Sequence, residues 1–277
     1  MAAVLNLPVV FTVQNNQFAY SSPNDTEFGT PNVADRAAGY GIPARIIDGN
    51  DIYEVIDAVH ESCENARNGN GPSLIELVTF RHYGHAGHDP AEYVNDEVRE
   101  FWMKRDPIAR FEDALLQEGL FTNEQFVNLS EDLEAEIKET IDWAKNQDDP
   151  DPKNEELDMF AERTEPKIEN SENNKETMNF IEAITNGLDE LMDNDENVFM
   201  MGEDIGVFEG AFKATKGLFN KYGPFRVIDT SISEGGFTGA AVGAALAGKK
   251  PIVELQFYDF VYPALDQITT EAAKYNW

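Results

Sequence analysis

The sequence contains little cysteine and no long apolar run. Cys63 is the only cysteine among 277 residues, which excludes an internal disulfide bond and a zinc site built from several cysteines. No apolar run approaches the roughly 20 residues that span a bilayer. No basic and apolar leader pattern of a secreted protein is visible. We therefore expect a protein of a reducing compartment, a bacterial cytoplasm or an organelle matrix, that does not insert into membranes.

Basic residues are also scarce, at 21 against 52 acidic residues, and the net charge is -31. Such a negative surface repels the phosphate backbone, so we expect no nucleic-acid binding. The acidity fits solubility or a saline environment, with a basic partner as the alternative. Any phosphorylated cofactor must then be held by local hydrogen-bond donors.

The length allows one large or two medium domains with buried cores. Residues 145–174 are acidic, contain prolines and have few large apolar side chains, which is typical of a linker. We predict a first domain at 1–150, a linker at 151–176 and a second domain at 177–277.

Strands and helices alternate in both halves, which predicts α/β domains with doubly wound parallel sheets. The run Pro8–Val13 is apolar throughout and predicts a strand buried on both faces. A capping box at Asp51 and Glu54 predicts a helix, with an apolar stripe of Ile52, Val55, Ile56, Val59 and Cys63. Further strands are predicted at 44–48, 73–80, 197–201, 226–229 and 251–257, and further helices at 33–38, 107–118, 123–144, from 177, 213–222, 236–248 and 263–274.

The helix predicted at 123–144 carries a stripe of regularly spaced apolar residues, which are Phe126, Leu129, Leu133, Ile137 and Ile141. This spacing predicts an amphipathic helix. Thr122 and Gln125 form its predicted capping box.

Glu234 lies where a predicted strand turns into a helix, followed by Gly235 and Gly236. Glycines at such a corner leave room for a flat ligand to approach the backbone. The alternative is an ordinary carboxylate at a helix N-terminus, stabilised by the helix dipole.

The loop Arg81–Pro90 contains three histidines, His82, His85 and His88, among glycines. A zinc site and a pH-sensitive surface loop are two interpretations of this pattern. Upstream, Asn15 and Asn16 directly follow a predicted strand, where an ordinary turn is the simplest interpretation.

A further motif is Met201-Gly202-Glu203-Asp204, in which Glu203 lies 31 residues before Glu234. Together these motifs resemble those of the decarboxylating first component of the 2-oxo acid dehydrogenase complexes. Residues 5–152 look like the C-terminal half of its alpha subunit, and residues 179–277 like the N-terminal half of its beta subunit. The resemblance implies two thiamine-diphosphate-binding domains of doubly wound parallel sheets, both incomplete.

The family resemblance also implies roles for individual residues. The Asn16 side chain and the Phe18 carbonyl would bind Mg²⁺, and Arg81 and His85 would face the diphosphate and the reacting centre. In the second half, the resemblance implies that Glu234 hydrogen-bonds a pyrimidine nitrogen of thiamine diphosphate, that Glu203 and Asp266 belong to a buried acidic relay, and that Phe260 packs against the aminopyrimidine. Taken alone, Glu203 and Asp266 are more typical of ordinary solvated charges or helix caps.

The Gly-Asp-Gly opening of the thiamine-diphosphate motif is absent upstream of Asn16. We therefore expect that Met1 is an internal methionine, that the chain is a fragment, and that alone it binds the cofactor weakly and is inactive.

The resemblance implies oxidative decarboxylation of a 2-oxo acid, with reductive acyl transfer to the lipoyl domain of a dihydrolipoyl acyltransferase. The segment Leu255–Pro263 favours a branched-chain substrate, with pyruvate and acetoin as alternatives. The same residues leave open two further functions, a transketolase-like carboligase and a non-catalytic interaction protein. A fused alpha-beta chain is expected to form a homodimer.

Overall fold

The computed structural model describes residues 1–149, 151–154 and 177–275. The chain divides into two compact units near residue 148. Most of the predicted linker lies outside the described residues. No helix in the described ranges is both long and apolar enough to cross a membrane.

The first unit contains three parallel strands and six α-helices. They are β1 (Val10–Asn15), α1 (Asn24–Glu27), α2 (Ala37–Tyr40), β2 (Ala44–Asp48), α3 (Ile52–Arg67), β3 (Ser73–Val78), α4 (Asp96–Met103), α5 (Pro107–Gln117) and α6 (Asn123–Lys145). The strand order is β1-β3-β2, and Asn15 and Asp48 both pair with Val78. The three carboxyl ends therefore lie along one edge of the sheet, as expected for a parallel α/β unit.

The predicted burial of β1 on both faces is wrong. β1 is an edge strand that pairs only with β3 among the described residues, and Phe11 is 43% exposed. The central strand β3 carries the fully buried residues Ile75 and Glu76 instead. A continuous apolar run shows that a strand can be buried, but its position in the sheet decides whether it is.

The stripe predicted for α3 is only partly correct. The Asp51 side chain accepts hydrogen bonds from the amides of Tyr53 and Glu54, as a helix N-cap does. The Glu54 side chain accepts from the Asp48 amide, so the reciprocal capping box does not form. Ile52 and Ile56 are exposed, and the buried residues of α3 are Ala58, Ser62 and Ala66. Small side chains let this face of the helix approach the sheet closely.

Helix α6 forms with the predicted capping box between Thr122 and Gln125. The predicted apolar stripe is present but is not covered within the described part of the chain, because no residue of α6 is buried. Four of the five apolar residues of its stripe are exposed, namely Leu129, Leu133, Ile137 and Ile141. Helix α4 was not predicted, although Asn95 caps it by accepting from the Glu97 amide and its Trp102 stacks on Phe80.

The described part of the second unit also has three parallel strands. Its strands and α-helices are α7 (Phe180–Asn194), β4 (Val198–Gly202), α8 (Leu218–Tyr222), β5 (Val227–Asp229), α9 (Glu234–Leu246), β6 (Lys250–Glu254) and α10 (Val261–Asp266), and a π-helical turn at Gln267–Ala272 follows α10. The strand order is β5-β4-β6, and Gly202 pairs with both Asp229 and Glu254. Both units thus confirm the predicted parallel α/β fold class.

All four helix starts predicted in this unit differ from the structure. Helix α7 begins at Phe180 rather than at 177, and helix α10 begins at Val261 rather than at 263. Helix α9 begins at Glu234, two residues before the predicted start. Helix α8 begins at Leu218 rather than Lys213, because Lys213 and Gly217 have positive φ angles of 62° and 79° that interrupt a helix.

Candidate active site

In the first unit, the turn after β1 brings together two of the residues predicted to bind a metal ion. Asn16 Oδ1 accepts a hydrogen bond from the Phe18 amide at 3.1 Å, and the Asn16 carbonyl accepts from the Arg81 amide at 3.4 Å. An amide oxygen has two lone pairs, so Asn16 Oδ1 can accept this bond and still face a cation.

The guanidinium of Arg81 is held by several oxygen atoms. Nη1 donates to the Ala19 carbonyl at 2.6 Å, while Nη2 donates to the Tyr20 carbonyl at 2.6 Å and to the Tyr93 hydroxyl at 2.8 Å. Arg81 therefore ties the loop after β3 to the turn after β1. His85 is exposed, and its ring packs edge-on against Tyr20 with 4.9 Å between ring centres.

Asp89 organises this loop, a role that the sequence pattern did not reveal. Its Oδ2 accepts from the His85 amide and from the Tyr93 hydroxyl, each at 2.7 Å, and its Oδ1 accepts from the Ala91 amide. The Tyr93 hydrogen bond, followed by the two backbone amides, lowers the pKa of Asp89 below its ordinary value. The Asp-Pro pair that ends the histidine motif is the signal that could have indicated this turn.

The histidine loop does not assemble a metal centre. His82 Nδ1 lies 3.4 Å from Asp106 Oδ2, whereas His85 packs on Tyr20. Among the described residues, no group of three or more His, Cys, Asp or Glu side chains could hold a metal ion. Amide and carbonyl oxygens such as those of Asn16 and Phe18 are instead suited to a hard cation that also binds phosphate.

In the second unit, Glu203 directly follows β4 and Glu234 begins α9. Partial burial and then the negative charge of Glu234 raise the pKa of Glu203. Glu203 Oε1 is buried and has no hydrogen-bond partner. The two carboxylates are therefore close enough to repel each other, and one oxygen remains available for a ligand.

The backbone around Glu203 is fixed from both neighbouring strands. The Gln256 side chain donates to the Glu203 carbonyl at 2.9 Å, and Asp229 Oδ1 accepts from the Gly206 amide at 2.6 Å. Gly206 is required here, because a Cβ would lie 2.4 Å from Asp229 Oδ2. Asp229 and Gln256 thus position the turn, although no sequence motif indicated such a role for them.

Unsatisfied polar atoms mark the carboxyl edge of this sheet. Three buried side-chain oxygens here have no hydrogen-bond partner, namely Glu203 Oε1, Thr230 Oγ1 and Glu254 Oε2. Glu203 directly follows β4, Thr230 directly follows β5, and Glu254 is the last residue of β6. Burial raises the pKa of Glu254 as well. Buried polar atoms are normally hydrogen-bonded, so this edge fits a ligand that donates hydrogen bonds, such as an aminopyrimidine.

The two remaining predicted residues lie at the surface of this unit. Asp266 is exposed and its carboxylate accepts from the Gln267 side chain at 3.2 Å, so its expected burial in an acidic relay is not observed within the unit. Phe260 is 39% exposed and packs edge-on against Phe257. An exposed aromatic ring is able to stack on a bound heterocycle.

We predict that Glu203→Gln stabilises the protein. The folded state binds the Glu203 proton more tightly than the unfolded state, so wild-type stability falls as the pH rises above the ordinary value of 4.5. The neutral variant avoids this loss. Its thermal midpoint should exceed that of wild type by about 2 °C at pH 7, a modest gain because the pair is partly exposed. Calorimetry at pH 4 and pH 7 tests this, and a difference that does not grow with pH contradicts it.

The two halves of the chain match two family profiles. The profile described as "Dehydrogenase E1 component" matches residues 1–153, and that described as "Transketolase, pyrimidine binding domain" matches residues 176–277. A transketolase mutant structure from Pichia stipitis aligns with 98% of this chain and 42% of its own, with a TM-score of 0.53 and 16% identity. This likeness shows the fold alone.

Curated relatives match each half separately. The alpha subunit of acetoin:2,6-dichlorophenolindophenol oxidoreductase from Bacillus subtilis is 41% identical over 160 residues, which cover 57% of this chain and 46% of the relative. The mitochondrial pyruvate dehydrogenase E1 component subunit beta-2 from Oryza sativa is 52% identical over 96 residues, which cover 35% of this chain and 26% of the relative. Each alignment spans less than half of the relative.

Two parallel α/β units with these matches define two domains of the thiamine-diphosphate-dependent 2-oxo acid dehydrogenase E1 class. The chain belongs to the dehydrogenase E1 component family, with an alpha-type first part followed by a beta-type second part.

Proposed function

We propose that the natural protein carrying this chain catalyses oxidative decarboxylation of a 2-oxo acid and transfers the acyl group to a lipoyl arm. The observation that carries the proposal is the Glu203 and Glu234 pair, with its unpartnered buried oxygen at the carboxyl edge of a parallel sheet. Ligands of open α/β sheets bind at this edge. Thiamine diphosphate, when bound, supplies the electron sink that makes loss of carbon dioxide possible.

Each unit supplies residues that bind one part of that cofactor. The Glu234 carboxylate accepts a hydrogen bond from a pyrimidine nitrogen and keeps the proton on that nitrogen. Glu203, as a neighbouring acid, stabilises this hydrogen bond. Phe260 stacks on the aminopyrimidine, and Asp266 contributes a further carboxylate. In the alpha-type part, Asn16 and Phe18 bind Mg²⁺ through oxygen atoms, and Arg81 and His85 interact with the diphosphate.

The preferred substrate that we propose is a branched-chain 2-oxo acid. The proposal rests on the segment Leu255–Pro263 that follows β6. The lipoyl domain of a dihydrolipoyl acyltransferase is the acyl acceptor, and the protein works as a homodimer.

The test is to assay the natural protein with thiamine diphosphate, Mg²⁺ and a lipoylated domain. The substrates are 3-methyl-2-oxobutanoate, pyruvate and acetoin, supplied separately, and a ketose phosphate with an aldose phosphate is supplied in a parallel assay. We expect release of carbon dioxide from the branched-chain acid and acylation of the lipoyl group, detected by mass spectrometry. Faster turnover of pyruvate or acetoin would overturn the substrate proposal, and ketol transfer between sugars without carbon dioxide release would overturn the reaction.

A further inference from the structure

A buried carboxyl group lies in the middle of the first sheet. Glu76, on the central strand β3, is 0% exposed. Its Oε1 accepts from Asn15 Nδ2 at 2.6 Å, and its Oε2 accepts from the Ala34 amide at 2.8 Å. A buried carboxyl group costs several kcal/mol unless hydrogen bonds compensate it, so its two partners determine whether this residue is tolerated.

The bond to Glu76 determines which way the Asn15 amide faces. Because Nδ2 points to Glu76, Oδ1 points to the opposite side, where it accepts from Asn24 Nδ2 at 2.6 Å and from the Gln17 amide at 3.2 Å. The nitrogen and oxygen of an asparagine side chain are assigned from such a network, and here the two partners with fixed roles, the accepting Glu76 carboxylate and the donating Gln17 backbone amide, agree on one orientation.

The orientation of the Asn15 side-chain amide also stabilises a strained backbone turn at Gln17. Gln17 has a φ angle of 73°, in the left-handed region that non-glycine residues rarely adopt. The bond from the Gln17 amide to Asn15 Oδ1 stabilises this conformation. The same turn places the Phe18 amide where it donates a hydrogen bond to Asn16 Oδ1.

We propose that Glu76 is a positioning residue for the cation half-site formed by the Asn16 side chain and the Phe18 carbonyl, and that it acts through Asn15. This inference rests on the proposed function, because that function assigns the cation to Asn16 and Phe18. Glu76 itself is fully buried on the central strand and is not one of the proposed cation ligands.

Glu76→Gln isolates the role of the second acceptor oxygen. Glutamine keeps the shape but has one acceptor oxygen and one donor nitrogen. If that oxygen accepts from the Ala34 amide, the new nitrogen faces Asn15 Nδ2, so two donors oppose each other. Asn15 then turns its oxygen toward residue 76 and loses the bond from the Gln17 amide.

A second substitution should restore the network. In the double variant Glu76→Gln with Asn15→Asp, one Asp oxygen accepts from the new glutamine nitrogen. The other accepts from the Gln17 amide and from Asn24 Nδ2. The charge at the site is unchanged overall, because the carboxylate has moved from position 76 to position 15. Asp48→Asn serves as the stability control, since it removes ion pairs with Arg105 and Arg110 at the same sheet edge without touching the turn.

Two measurements on the natural protein test the inference. The first is binding of Mn²⁺ in the presence of thiamine diphosphate, followed by electron paramagnetic resonance. The second is amide hydrogen exchange at Gln17 and Phe18 in the metal-free protein, followed by nuclear magnetic resonance. For Glu76→Gln we expect Mn²⁺ affinity about tenfold weaker and exchange at Gln17 about tenfold faster. The double variant should return both values to within threefold of wild type, and Asp48→Asn should change neither.

Three contrary outcomes are distinguishable. Unchanged Mn²⁺ affinity in Glu76→Gln, when wild type binds, shows that Glu76 does not position the cation site, whatever the exchange rates. A double variant that stays as weak as the single variant shows that the acceptor network is not the cause. Failure of the proposed function is recognised separately, because wild type itself then binds no Mn²⁺ with thiamine diphosphate, and the positioning role falls with it.

Discussion

Glu234→Gln in the natural protein should reduce turnover of the 2-oxo acid by about 10²- to 10⁴-fold, the range typical of removing a group that moves a proton. Glutamine keeps the length and shape of the side chain but cannot hold the proton of a ring nitrogen. The fold should persist, since Glu234 is only the first residue of α9 and its replacement leaves the helix intact. Steady-state rates with saturating thiamine diphosphate measure the effect.

Glu190→Gln is a matched control for this substitution. Glu190 is an exposed glutamate on α7 of the same unit, and its replacement removes one negative charge without touching the sheet edge. Its turnover should stay within twofold of wild type. If Glu234→Gln behaves in the same way, Glu234 is not part of the chemistry.

The simpler interpretation of Glu234 makes a different prediction. A carboxylate in the first turn of a helix stabilises the helix dipole by about 0.3–1 kcal/mol. Ser233 makes no side-chain capping bond to α9, so such a contribution would matter here. Under that interpretation Glu234→Gln lowers the thermal midpoint and leaves turnover unchanged. Measuring both quantities on one variant therefore separates the two roles.

The sequence predicted those features that depend on local chemistry. The six predicted strands, the N-cap at Asp51 and the capping box at Thr122 are confirmed, because each depends on a few neighbouring residues, whereas helix α4 was missed. The positions of Asn16 and Glu203 after their strands also follow from local patterns. Their roles toward the cofactor remain predictions, which the proposed variants test.

Features that depend on distant parts of the chain could not be predicted. Glu76 bonds to Asn15 across 61 residues, and no local pattern within β3 indicates this partner. The apolar stripe of α6 has the spacing of a buried face, yet burial depends on what packs against the helix. The sequence nevertheless indicates that Glu76 needs a hydrogen-bond partner, since a charged residue inside a largely apolar strand must be compensated.

Helix α3 shows the same distinction between pattern and packing. Its period correctly predicted a helix, but the largest apolar residues did not mark the buried face. Ala58 is fully buried between Ile47 and Ile75 of the sheet, whereas Ile56 is 55% exposed. Close approach of a helix to a parallel sheet selects small side chains, and the pattern of large apolar residues does not reveal it.

Gly84→Ala should reduce turnover of the natural protein by about 100-fold through a displaced loop. A Cβ at Gly84 would lie 2.0 Å from the Asp89 carbonyl oxygen, so the backbone must move. Asp89 accepts from the His85 amide and from the Tyr93 hydroxyl, and Tyr93 accepts from Arg81. The displacement therefore reaches both predicted diphosphate contacts, and a shift of about 1 Å at a reacting site can cost about 100-fold in rate.

Gly87→Ala provides the matched control within the same loop. A Cβ at Gly87 would meet no atom within 4 Å, so the chemical change is identical but nothing has to move. We expect near-normal turnover and thiamine diphosphate affinity for this variant, against weakened affinity for Gly84→Ala in calorimetric titration. Equal behaviour of the two variants would show that the bonds of Asp89 do not position His85 and Arg81 for the cofactor. Loss of affinity confined to Gly84→Ala would instead link the geometry of this turn directly to diphosphate binding.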